Sequence, residues 1–134
     1  MIKFERLRET RFALTHLLPW LLYCLLIFWF SAQTDPGRLS PVEIPDKIAH
    51  LVLYSGFGFL FMRLVAGLEE GSVDIVKLLF WSLTAALLYG LSDEFHQLFV
   101  PGREFSWMDL LADGAGGYLG ARVLVIMKGK EWKQ

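Results

Sequence analysis

Four apolar stretches constrain this chain more than any other feature, running from about Phe12 to Ser31, Ile48 to Leu68, Val76 to Ser92 and Trp107 to Met127. Each is long enough to cross about 30 Å of hydrocarbon at about 1.5 Å per residue. Inside lipid a backbone must satisfy its own hydrogen bonds, so such stretches are helices. They are apolar on all sides and leave no polar face for water, which argues against a soluble fold. The expectation is an all-α integral membrane four-helix bundle, with residues 1–134 forming a single transmembrane domain. Composition agrees: 54% of the residues are hydrophobic, the mean hydropathy is +0.43, and the charged residues crowd into short segments between the apolar runs.

Pro19 lies near the start of the first stretch and predicts a kink or a late helix start there. Ahead of it, Lys3 to Arg11 alternates basic and acidic residues around Phe4 and Leu7, the pattern of a short amphipathic interfacial segment. The stretch does not read as a cleavable signal peptide, because Ser31-Ala32-Gln33-Thr34 leads into Asp35-Pro36-Gly37 without a small-residue cleavage pattern. Orientation follows from basic residues. Lys3, Arg6, Arg8, Arg11, Arg63, Lys77, Arg122, Lys128, Lys130 and Lys133 flank one side of the spans, against Arg38, Lys47 and Arg103 on the other. The positive-inside rule then places both termini in the cytoplasm, with the first and third connections extracytoplasmic.

A net charge of −1 offers no basic face for phosphate backbones, so no nucleic-acid partner is expected. The single cysteine, Cys24, sits within an apolar run and reads as packing filler, which excludes a disulfide framework and a thiolate metal site.

The polar residues that can do chemistry gather at the extracytoplasmic ends of the apolar stretches. Asp46, His50 and Tyr54 recur at i, i+4, i+8 and stack along one side of the second helix, beside Lys47. Asp93 and Gln97 share a face of the third helix with Gly90 and Ala86, with Glu94 and His96 to either side. On the fourth helix Asp109, Asp113, Gly116 and Gly120 share a face, Ser106 reads as its N-cap, and the Gly116/Gly120 step permits close approach to a neighbour. Each residue has a plain structural reading: Asp109 as a first-turn carboxylate favoured by the helix dipole, His50 as a neutral imidazole donating to Asp46 or a carbonyl. The adjacent pair Asp93 and Glu94 resists that treatment, because two carboxylates near hydrocarbon need a proton, a cation or a basic partner. Arg103, presented by the type II turn expected of Val100-Pro101-Gly102-Arg103, is the natural partner.

The pattern Asp46-Lys47-x-x-His50-x-x-x-Tyr54, then Asp93-Glu94-x-x-Gln97-x-x-Val100-Pro101-Gly102-Arg103, then Asp109 running into Gly116 and Gly120, resembles the VanZ-like family. Ser31-x-Gln33 is similar to that family's exit from its first span. The resemblance covers nearly the whole chain, and its most specific part is the segment from Asp93 to Arg103. Asp113 departs from the pattern, where Asn is usual. The resemblance implies a four-span bacterial inner-membrane protein of a family whose namesake is associated with resistance to the glycopeptide teicoplanin.

Three functional readings stay open. In the first, the polar end binds an anionic lipid headgroup or a lipid-linked cell-envelope component such as a lipid-linked glycan. Lys47 and Arg103 contact phosphate or carboxylate, and Tyr54, Gln97, Asp109 and Asp113 complete the pocket. In the second, the protein is an intramembrane hydrolase of a lipid or isoprenoid phosphate. His50 or His96 is base or nucleophile, Asp46 orients the imidazole, and Asp93, Glu94, Asp109 and Asp113 act as acid and base or hold a divalent cation. No metal is specified by the spacing, and HExxH and GxSxG are absent. In the third, the network only locks the helices or serves a protein partner. Transport ranks behind all three, since the sequence shows no inverted repeat.

Overall fold

The computed structural model describes residues 2–34, 45–69, 72–128 and 131–132, with side chains from residue 7 onward. Asp35-Pro36-Gly37, Arg38, Lys130 and Lys133, and the side chains of Lys3, Phe4 and Arg6, lie outside the described residues. The described residues form helices and no strand: α1 (Ile2–Phe12), a π turn (Ala13–Leu17), α2 (Leu18–Ser31), α3 (Asp46–Ala66), α4 (Ile75–Gln97) and α5 (Trp107–Lys128). Four helical runs are long and apolar enough to cross a membrane: Leu7–Ser31, Asp46–Ala66, Ile75–Gln97 and Trp107–Lys128.

The N-terminal segment is helical, and it runs into the first span without a break. Pro19 explains the π turn. It lacks the N–H that would close the α-helical bond to residue 15, and widening the preceding turn accommodates that loss. α4 extends to Gln97, five residues past the expected boundary at Ser92, and so carries Asp93, Glu94 and Gln97 as helical, buried positions. Asp74 caps its other end, accepting from the Lys77 N–H at 3.1 Å.

The bundle is built on a close α3–α5 seam. A Cβ on Gly116 would meet the Leu51 carbonyl, one on Gly120 the Ser55 carbonyl, and one on Gly58 the Gly117 carbonyl. Hydrogen in place of a side chain at these positions is what lets the two backbones touch. α4 packs on the other side of α5, where Gly117 meets Ala86 and Gly90 meets Asp113. α2 lies against α3 and α4 through an aromatic layer. Trp20 tilts onto Phe57 and Phe61, Phe57 stacks on Tyr89, the Tyr23 hydroxyl donates to the Leu53 carbonyl, and the Tyr89 hydroxyl donates to the Cys24 carbonyl. Cys24 is buried packing here, as expected. Outward faces carry large apolar side chains such as Leu25, Phe80, Leu88 and Ile126, the surface a lipid solvent requires.

Candidate functional site

Register in the α3–α5 seam decides what the polar end looks like. Because Gly116 and Gly120 hold α5 against α3, Asp113, one turn before Gly116, is brought opposite His50. His50 Nδ1 and Asp113 Oδ1 share a hydrogen bond of 2.8 Å, and the Asp113 side chain is wholly buried. The expectation that Asp46 would orient this imidazole is therefore corrected. Asp46 sits one turn closer to the helix start with its side chain about half exposed, and it turns instead to Arg103, whose Nη1 lies 3.5 Å away.

The loop after α4 delivers that arginine. Gly102 has φ +83° and the Arg103 N–H donates to the Val100 carbonyl at 3.1 Å, which is the type II turn read from the sequence. The arginine's partner differs from the expected one. Its Nε and Nη2 both donate to Gln97 Oε1, at 3.2 and 3.0 Å, and Gln97 Nε2 in turn donates to Asp93 Oδ2 at 3.4 Å. Arg103 thus reaches the acid pair through Gln97. Glu94 takes a different donor, accepting from the Ser106 backbone N–H at 2.6 Å. Ser106 is also the N-cap of α5, its Oγ accepting from the Asp109 N–H at 3.3 Å, while the Asp109 carboxylate faces Lys47 Nζ at 3.4 Å.

The site is graded in depth. Lys47 and Asp46 stand at the mouth with side chains about half exposed, Arg103 lies below them, and Asp109, His50, Asp93, Gln97, Tyr54, Glu94 and Asp113 form a buried floor. Three floor atoms are buried without a hydrogen-bond partner: the Tyr54 hydroxyl, Glu94 Oε1 and Asp113 Oδ2. One ligand atom each from His50, Glu94 and Asp113 lie within 4.8 Å of one another, and the same holds for Asp46, His50 and Asp109. Chemically, the arrangement offers two cations near the surface, an Asp–His pair capable of acid–base work, and an excess of buried carboxylates.

His96 lies on the α2 side of this group, where Ser31 meets both it and Asp93. Its ring stacks on Phe28 of α2 at 4.4 Å and its Nδ1 lies 3.4 Å from Ser31 Oγ, so it serves the α2–α4 contact. Two positions gain importance that spacing alone did not give them. Ser106 supplies the donor for Glu94, and Gly90 makes room for the Asp113 carboxyl. Gly90's place on the Asp93 face was the available signal for the second; the first depends on loop closure. A separate cleft of about 440 Å³ at the opposite end, lined in part by Arg63, Lys128 and Trp132, shares no residue with the polar cluster.

Comparison with known proteins adds one finding: the family model described as VanZ/LLP1 matches residues 12–128, from the π turn region through all four spans. No curated protein and no solved structure has significant similarity to the chain. A match of that extent, carrying the Asp46-to-Tyr54 and Asp93-to-Arg103 patterns on adjoining helices, identifies this multi-pass membrane protein as belonging to the VanZ/LLP1 family.

Proposed function

We propose that the polar end of the bundle binds an anionic headgroup, that of a membrane lipid or of a lipid-linked cell-envelope component, from the extracytoplasmic side of a bacterial inner membrane. The observation that carries this reading is the depth order of charge. Lys47 and Arg103 are held near the mouth by Asp109, Gln97 and Asp46, at the level a phosphate would reach, above a floor of buried polar groups. Arg103 offers a planar fork suited to bidentate contact with phosphate or carboxylate, and its present contacts to Asp46 at 3.5 Å and to a single Gln97 oxygen leave it exchangeable. The concentration of ionisable residues within membrane-spanning helices supports a functional over a purely structural role. Orientation rests on the basic residues, ten of which flank the opposite end. A headgroup site on that side is where a protein could alter the envelope components that glycopeptides meet, which is the form the resistance association takes here.

The test is lipid retention. Purified in mild detergent, the parent is expected to carry an anionic lipid or lipid-linked species that Arg103→Lys loses, since lysine keeps the charge but not the fork. Equal retention by Arg103→Lys, with Arg103→Ala failing to accumulate, would make Arg103 a structural counter-ion.

A second reading is favoured by the His50–Asp113 pair at 2.8 Å, an oriented imidazole beside unpartnered carboxyl oxygens. In that reading the bound phosphate ester is hydrolysed with His50 as base. Release of phosphate from an isoprenoid phosphate, abolished in His50→Gln, would establish it.

A further inference from the structure

The buried part of the polar cluster is short of positive charge. Lys47 is placed on Asp109 and Arg103 on Asp46 and Gln97, so among the described residues neither fixed cation contacts Asp93, Glu94 or Asp113. Glu94 and Asp113 are both 0% exposed, and each spends only one oxygen: Glu94 Oε2 on the Ser106 N–H, Asp113 Oδ1 on His50. Glu94 Oε1 and Asp113 Oδ2 are left without a partner, as is the Tyr54 hydroxyl at 1% exposure. A buried carboxyl oxygen without a partner is costly, and two such carboxyls in one buried cluster call for a positive group among them.

We propose that His50, Glu94 and Asp113 hold a divalent cation of the Mn²⁺/Zn²⁺ class in the buried part of the polar cluster. The distances bring the group close to a coordination shell: ligand atoms from the three residues lie within 4.8 Å of one another, and since ligands about 2.0–2.2 Å from a common ion stand no more than about 4.4 Å apart, a small side-chain adjustment closes the shell around an ion. The donor set suits it as well. One imidazole with two carboxylates matches Zn²⁺ or Mn²⁺ better than Ca²⁺, which takes about 6–8 oxygens. Three protein ligands leave a coordination position open, which an anion's oxygen can fill. The inference deepens the headgroup reading and rests on it for its purpose: the ion bridges a headgroup phosphate held by Lys47 and Arg103 to an otherwise repelling acidic floor. A divalent charge also removes the need for Asp93 and Glu94 to share a proton.

The experiment is a Mn²⁺ titration of the EDTA-stripped full-length protein in neutral detergent without phospholipid, reading the loss of the free-ion paramagnetic resonance signal. The parent is expected to bind one Mn²⁺, displaced by Zn²⁺. Glu94→Gln and Asp113→Asn, which conserve shape, should each weaken binding by more than about tenfold, because even outer-shell partners of a metal are worth about 10–100-fold. His96→Gln should bind as the parent does. Absence of a bound ion in the folded parent overturns the proposal, and so does unchanged affinity in both acidic-residue variants. Loss of binding in Asp109→Asn with Glu94→Gln unaffected would move the ion to the Asp46–His50–Asp109 group and overturn this assignment. No lipid is present in the titration, so its failure leaves the headgroup reading to stand or fall by lipid retention.

Discussion

Gly120→Ala tests whether the backbone seam and the polar site are one mechanical unit. A Cβ at this position would meet the Ser55 carbonyl oxygen and lie 2.6 Å from the Ser55 carbonyl carbon, both backbone atoms that cannot rotate away. Restoring an ordinary contact of 3.4 Å to the carbon alone requires α5 to withdraw from α3 by about 0.8 Å, and the nearer oxygen requires more, so this is the minimum displacement. Asp113 is two turns away on the same helix, so a rigid withdrawal of at least that size along the contact lengthens His50–Asp113 from 2.8 Å to about 3.6 Å or more, beyond hydrogen-bonding distance. The expected cost is about 1–3 kcal/mol for the overpacked seam, plus about 1–3 kcal/mol for leaving a buried partner unsatisfied. Unfolding in mixed detergent measures the sum, and ¹⁵N shifts of the His50 ring report the bond directly. If Gly120→Ala matches the parent in both stability and His50 shifts, the claim that glycine contacts set the register of the site is refuted.

Gly90→Ala should act on the same carboxylate from the other side, because its Cβ would lie 2.9 Å from the Asp113 Cβ; a loss of about 1–3 kcal/mol in the same unfolding assay is expected, and a neutral result would contradict the packing of α4 on α5. Glu94→Ala strands the Ser106 N–H at the start of α5 and should cost about 1–3 kcal/mol, whereas Glu94→Gln keeps an acceptor and should cost clearly less; equal losses would show that the capping bond contributes nothing. In a Cys24→Ser background, cysteine at Glu104 is expected to react with a membrane-impermeant reagent in intact spheroplasts, and protection there with labelling only after lysis would reverse the orientation. The corresponding probes at Ser40, Gly71 and Gln134 fall outside the described residues.

Helix number, approximate span limits and the end at which polar residues gather were legible because lipid imposes a one-dimensional rule: apolar runs of sufficient length, bounded by charge. The same rule bounds the third apolar stretch at about Ser92, while the helix carries on to Gln97, as the shared face of Asp93 and Gln97 implies; Gln97 and the Ser106 N–H receive the two acids inside the protein. Same-helix relations such as Asp46, His50 and Tyr54 follow from the 3.6-residue period. Partners across helices do not, since they depend on rotation and register fixed elsewhere. Asp113 meets His50 because Gly116, Gly120 and Gly58 set the depth at which α5 docks. His96 lies to the other side of the Asp93 and Gln97 face from Glu94, as the period implies, but that its side faces α2, where Phe28 and Ser31 meet it, depends on packing that the period does not give. The Val100-Pro101-Gly102-Arg103 turn was readable in full, because its geometry is set by the two residues that build it. Which groups Arg103 would contact was not, because Gln97 competes with the carboxylates for its fork.

Whether the polar end recognises a negatively charged headgroup is tested most directly by native mass spectrometry of the protein with an isoprenoid phosphate and with the matching uncharged alcohol. The two ligands share the same hydrocarbon and differ only in the phosphate, the group that Lys47 and Arg103 are proposed to meet. The account predicts one phosphate ligand per chain, at least about tenfold preferred over the alcohol, a difference of about 1.4 kcal/mol, with that preference lost in Lys47→Ala combined with Arg103→Lys. Equal binding of phosphate and alcohol by the parent, or a preference that survives in the double variant, would contradict it.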